Sequence, residues 1–167
     1  MNIIITYKTT DIEKIKEIQK TPIYKDVLKS FIHITSYLKY HNTKLIFLVD
    51  VNEVNASSDP KNDIIYFYDV ILKLDFNSED IYALLGHEFG HIYLHKNYYI
   101  SPYEKGTREY NWDIEFNADR ICVNILKDLN MNPNALKNLH QKVLKYYTLK
   151  DIADNEHPAL QERIERL

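Results

Sequence analysis

The stretch ALLGHEFGHIYLH, residues 83–95, holds His87, Glu88 and His91 in the spacing H-E-x-x-H. On an α-helix, positions four apart differ by about 40° around the axis, so the two imidazoles project from one face, one turn apart. Two neutral imidazoles so placed can grip a metal ion. Glu88 lies beside them, is not needed as a ligand, and is left free to take a proton from water. Ile81, Leu85, Phe89 and Ile92 form an apolar stripe on the same helical wheel, with the histidines at its edge, which predicts a site bordering a cleft. A pair of surface histidines is the competing reading of these five letters.

A zinc ion held by two histidines needs a third protein ligand, and a carboxylate from a second element leaves the fourth position to water. EFNAD, residues 115–119, offers one. Glu115 can bind the metal, and Asp119, one helical turn on, can accept the outer ring N–H of a ligand histidine and fix its tautomer. Ala118, on their shared side, is small enough to let two helices approach closely. The alternative is a solvated acidic face carrying a mildly repulsive i,i+4 pair. Gly86 and Gly90 are two of only three glycines in the chain. Each costs about 1 kcal/mol relative to alanine in a helix interior, so a neighbour is expected to pass close by. His95 is eight residues from His87, about 12 Å along a helix, too far to share one ion. It is assigned to the surface, and His33, His41 and His140, without partners at ligand spacing, to ordinary surface or core positions. Cys122 reads as a buried small hydrophobe, with a reactive or inhibitory thiol as the alternative.

The elements that must position these groups are legible in outline. Residues 3–7 form a β-branched, aromatic strand; Ile12, Ile15 and Ile18 recur at helical spacing; Thr21-Pro22 predicts an N-cap and first helical position, followed by the stripe Val27, Phe31, Ile34 and Leu38. KLIFLVDV (44–51) and DIIYFYDVILKLDF (63–76) read as strand territory, the second ending in a short helical turn, with the polar stretch 52–62 as a loop between them. Asn77 and Ser78 are candidate caps for a helix over about 79–96. Further helices are expected over about 113–129, from Asn132-Pro133 to about 147, and from His157-Pro158 to the end. Strands and helices followed by helices alone predict an α+β domain spanning 1–167 as one unit.

Composition narrows the function classes. The 167 residues are 45% hydrophobic and 27% charged, as in soluble globular proteins. A net charge of −3 and a pI near 6.2 supply no cationic excess for phosphates, which argues against nucleic acid as a partner. The lone Cys122 suits a reducing compartment, no signal-like segment opens the chain, and the longest apolar runs fall short of the roughly 20 residues that span a bilayer. Together these predict a cytoplasmic protein without a transmembrane segment. Composition and motifs leave oligomeric state undetermined.

In this order along the chain, VNAS (54–57), DIIYFYDVILKL, ALLGHEFGHI, EFNADRICVNIL, NMNPNAL and EHPALQERIERL resemble the gluzincin metallopeptidases. These include the membrane-embedded CAAX prenyl endopeptidase, the bacterial heat-shock protease HtpX and small soluble minigluzincins. The resemblance implies a zincin-like fold and a zinc endopeptidase in which His87, His91 and Glu115 bind Zn2+ and Glu88 is general base and acid. It further implies that Asn55 and Ala56 lie near a peptide or protein substrate, bound as an extended strand against an edge strand around 64–68 that includes Ile65 and Tyr66. His157 is expected near the catalytic water or developing oxyanion, and Arg163 in support, pairing with Asp119. The chain lacks the membrane helices of the best-known relatives, and its interval of 24 positions between His91 and Glu115 resembles the soluble minimal forms. HEFGHIYLH is also similar to the motif of repressor-cleaving regulatory peptidases, which have one specific target. A latent or non-catalytic module with zinc as a structural staple is the reading from a different class, and a fourth protein ligand would mark it.

Overall fold

Two β-branched, aromatic runs, Ile4–Lys8 (β1) and Lys44–Leu48 (β2), pair in parallel, and Ile64–Tyr68 (β4) pairs in parallel with the other side of β2. The structure is a computed structural model that describes residues 4–50, 55–146 and 153–167. Expected element ends at residues 3, 51 and 147 therefore lie outside the described residues. Parallel strands need a crossover. Between β1 and β2 it is made by α1 (Ile12–Lys20), capped by Asp11, and α2 (Pro22–Leu38), which starts on proline. Thr21 sits at the N-cap position of α2 without a side-chain cap bond; its hydroxyl donates instead to Ile18 O at 2.7 Å and closes α1.

Within the stretch expected to be a loop, Ala56–Asp59 (β3) forms a fourth strand, antiparallel to β4. The sheet order is β1-β2-β4-β3, so β3 is an edge and β4 is interior. The expectation of an edge strand around 64–68 is thus corrected, because β4 is hydrogen-bonded on both sides.

Alternate residues Leu45, Phe47, Ile65 and Phe67 are fully buried. They share one core with Val27, Phe31 and Ile34 of α2 and Ile81, Leu85 and Phe89 of α3 (Ser78–Lys96). Ring contacts knit the layers, with centroids 5.6 Å apart for Phe31–Phe89 and 5.7 Å for Phe47–Phe67. The 3-10 turn Asp69–Lys73 follows β4, as the end of the 63–76 run suggested.

The first turn of α3 is fixed by a capping box: Asn77 Oδ1 accepts from Asp80 N at 3.0 Å, and Asp80 Oδ2 accepts from Asn77 N at 2.8 Å. Asp80 also takes the ammonium of Lys142 at 2.7 Å, which ties α5 (Ala135–Tyr146) to the same helix end. α4 (Arg108–Asp128) begins five residues earlier than expected, behind Gly106 at φ +90° and the N-cap Thr107, whose hydroxyl accepts from Tyr110 N. α6 (Leu160–Arg166) closes the chain. The class is α+β, with a small mixed four-stranded sheet and six helices among the described residues. None of these helices is long and apolar enough to cross a membrane.

Candidate metal centre

α3 and α4 run antiparallel and almost touch. A Cβ added to Gly90 would lie 2.6 Å from Ala118 O and 2.9 Å from Ala118 Cα, and one on Gly86 would lie 2.9 Å from Cys122 Sγ. The absence of side chains on α3 and the small ones on α4 are therefore what allow this approach. One residue further along α3 and three residues back along α4, the same proximity brings His87 against Asp119 and His91 against Glu115.

His87, His91 and Glu115 each direct a ligand atom into a group within 4.8 Å, and all three side chains are largely enclosed. His87 Nε2 and His91 Nε2 are 3.1 Å apart, His91 Nε2 is 3.2 Å from Glu115 Oε1, and His87 Nε2 is 3.4 Å from Glu115 Oε2. Four donors about 2.0–2.1 Å from one ion at tetrahedral angles are about 3.3–3.4 Å apart, close to these edges. A single shared proton also satisfies the imidazole pair. It leaves Glu115 Oε2 buried without a hydrogen bond, although Arg163 Nη1 lies within Coulomb range at 3.2 Å. A cation between the three groups satisfies every one of these atoms, so the residues fit a metal ion. With Glu88 ionised and the imidazoles neutral, three carboxylates (Glu88, Glu115, Asp119) against one guanidinium leave two negative charges, matched to a divalent cation.

The surroundings set the protonation of the ligands. His87 Nδ1 is 2.8 Å from Asp119 Oδ1, so the ring N–H donates there and, in the neutral ring, the Nε2 lone pair faces the cluster. Arg163 grips Asp119 bidentately, Nε to Oδ2 at 2.8 Å and Nη2 to Oδ1 at 2.5 Å. The Arg163–Asp119 pair expected from the resemblance is present. Arg163 Nη2 is also 3.3 Å from His87 Nδ1, but both are donors and converge on the same carboxylate. Burial and the charge of Arg163 push His87 down; the carboxylates of Asp119 and Glu115 outweigh them and it is pushed up to about 10. Burial alone raises Glu115 and Asp119, yet the histidines around them, and Arg163 beside Asp119, hold both carboxyls well below the usual range. A metal ion at this point competes with the proton on His87.

Glu88 is 5% exposed. Burial raises its carboxyl above the ordinary value, with His87, His91 and the Ser58 hydroxyl pulling the other way. The group lines a cleft of about 400 Å³ together with the three candidate ligands, Asn55, Ala56, His157 and Arg163. His157 is half-exposed at its mouth, 3.5 Å from Asp154 and ahead of α6 rather than within it. Ile65 and Tyr66 are not part of this wall: they lie on the interior strand β4, with Ile65 fully buried, and the edge that borders the cleft is β3. His140 was expected to be ordinary. It is 6% exposed and lines the cleft, with Nε2 3.9 Å from Asp119 Oδ1, too long for a hydrogen bond. No spacing rule connects it to Asp119, so only the packing of α5 on α4 reveals it. His95 is on the surface, and Cys122 is fully buried, its thiol pushed up by burial.

Among the described residues, the centre is thus three protein donors, a buried carboxylate beside them and an open cleft. No protein-family model, no curated protein and no solved structure matches the chain, so the functional reading rests on the residues themselves.

Proposed function

We propose that the chain is a zinc metalloendopeptidase with a zincin-like fold, related to the soluble minimal gluzincins. The observation that carries this reading is the convergence of His87 Nε2, His91 Nε2 and Glu115 beside the buried acid Glu88 at the floor of a cleft. Two imidazoles and one carboxylate are a donor set of catalytic zinc sites. A structural staple needs a fourth protein donor, and the group has three members among the described residues. A cytoplasmic setting agrees with the lone, buried Cys122.

When bound, zinc supplies Lewis acidity, polarising a scissile carbonyl and lowering the pKa of water in the remaining coordination position. The rest is the work of the chain's own groups. His87, His91 and Glu115 hold the ion. Asp119 keeps the His87 proton on Nδ1, and Arg163 holds Asp119 in place. Glu88 takes a proton from the attacking water and delivers it to the leaving amine. A carboxyl raised by burial retains that proton better than an exposed glutamate does. The edge strand β3 pairs with β4 on one side and gives its other side to an extended peptide, with Ala56 at its start and Asn55 just before it. His157, at the mouth of the cleft, is assigned to the developing negative charge on the carbonyl oxygen.

The test is digestion of a peptide library by zinc-loaded wild type and Glu88→Gln, with zinc content measured in both. The expected result is equal zinc, with cleavage only by the wild type. Cleavage that survives in Glu88→Gln sinks the assignment of the base, and zinc binding without cleavage by either protein favours the non-catalytic reading.

A further inference from the structure

Of the large apolar side chains among the described residues, Tyr98 and Ile100 are the most exposed, at 88% and 86%. They belong to the turn between α3 and α4, which is well anchored. Tyr99, between them, donates its hydroxyl to Asp113 Oδ2 at 2.9 Å and accepts from Asn117 Nδ2 at 2.9 Å. The turn is closed by Tyr98 N to His95 O at 3.2 Å and Tyr99 N to Leu94 O at 2.9 Å. Tyr98 itself has φ +53°, the left-handed conformation that helix ends usually give to glycine or asparagine. A tyrosine held there at a conformational cost, with its ring in water, gains nothing from the fold.

Tyr98, Tyr99, Ile100 and Tyr110 line a second hollow of about 780 Å³. Pro60, His91, Glu115 and His157 border both this hollow and the cleft, so the two are continuous across the metal centre. β3 runs along the first part and ends at Asp59, and Pro60 has no N–H with which to extend a ladder. A peptide pairing with β3 therefore leaves the β ladder at Pro60 and meets a hollow whose apolar part includes Tyr98, Ile100 and Ile114, beside the polar His95, Asn111 and Glu156.

We propose that Tyr98 and Ile100 are specificity-determining residues that bind a bulky apolar or aromatic side chain of a polypeptide substrate, on the flank of the scissile bond beyond Pro60. This rests on the peptidase reading of the metal centre and names the substrate class for it. Burying one large apolar side chain corresponds to at least about ten-fold in binding or in kcat/KM.

The experiment uses the full chain and a peptide library randomised on both flanks of the cleaved bond. Cleavage is read with wild type and with Tyr98→Asn/Ile100→Ser; binding is read by fluorescence anisotropy with Glu88→Gln, with and without the same pair of changes. Asparagine suits the left-handed position and both sites are exposed, so Tm and zinc content are expected to be unchanged. Wild type should favour large apolar residues over serine at a position on one flank by about ten-fold or more, in both readouts, and the double variant should reduce that ratio to about two-fold or less. An unchanged ratio in the double variant, with Glu88-dependent cleavage intact, overturns the proposal and leaves the peptidase reading standing. Selective binding that depends on Tyr98 and Ile100, without any Glu88-dependent cleavage, supports the recognition role and overturns the peptidase reading. Loss of sedimentation with phosphatidylcholine vesicles in the double variant, with peptide selectivity unchanged, marks the turn between α3 and α4 as a membrane contact and overturns the proposal.

Discussion

Where α3 meets α4, two seams run side by side, one residue apart on α3 and three residues apart on α4. In the first, Gly86 and Gly90 face Cys122 and Ala118; in the second, His87 and His91 face Asp119 and Glu115. The first contains no charge and sets how near the helices come. The second contains nearly all the chemistry and inherits its distances from the first. A helix pair at the usual separation of about 8–10 Å has side chains filling the gap; here the gap is closed almost to backbone contact, so short acids on one helix reach imidazoles on the other. The glycines are therefore part of the candidate metal centre although they touch no ligand atom.

Breaking the polar seam has the largest expected effect. Glu115→Ala removes one of three donors, and zinc affinity measured by chelator competition should fall by more than about 100-fold; an unchanged affinity would take Glu115 out of the centre. Asp119→Asn keeps the shape but loses the anion that receives both the His87 Nδ1 proton and Arg163, and should weaken zinc by about 10–100-fold in the same assay.

The polar seam also has a pH signature in protein treated with chelator. His87 is raised from an ordinary 6.5 to about 10, so its contribution to stability is complete below 6.5 and is lost as pH rises towards 10. Glu115 and Asp119 are lowered from 4.5 and 3.8, so theirs is complete above those values and is lost on acidification. Tm of the chelated protein should therefore be highest between about pH 4.5 and 6.5 and decline on the alkaline side. Saturating zinc, which displaces the His87 proton, should remove the alkaline decline. An alkaline decline that persists with zinc would contradict the competition between metal and proton.

The small-residue seam gives smaller, graded effects. Gly90→Ala drives a methyl group into the Ala118 backbone, which cannot rotate away, and should cost about 1–3 kcal/mol, read as a drop of several degrees in Tm. Gly86→Ala meets only the Cys122 side chain and recovers about 1 kcal/mol of helix propensity, so its Tm should move less. Equal losses in the two variants would undo the claim that backbone contact at Ala118 sets the helix separation.

The sequence shows best what is local or short-ranged. α3 is legible because its caps, its first-turn acids and its apolar stripe all lie within one stretch, and the glycines announce a close neighbour by their cost. The acids at 115 and 119 are legible because they repeat the four-residue spacing of the histidines. β3 is not, because Ala-Ser-Ser-Asp has no β-branched or aromatic residue and is a strand only through its pairing with β4. Strand order is a property of the whole sheet, which is why the edge was expected at Ile65 and Tyr66. α4 starts early because Thr107 caps it from within a stretch with little apolar periodicity. His140 comes near Asp119, at 3.9 Å, from a different helix, beyond any spacing rule. Arg163 lies 44 positions beyond Asp119, and only the family resemblance links the two in sequence.

The most direct test of the central claim is X-ray absorption at the zinc edge on the zinc-loaded chain. The account predicts one zinc per chain in a four-coordinate shell of nitrogen and oxygen at about 2.0–2.1 Å, with the scattering pattern of two imidazoles and no sulfur. A six-coordinate oxygen shell without imidazole, or no retained zinc, would contradict it.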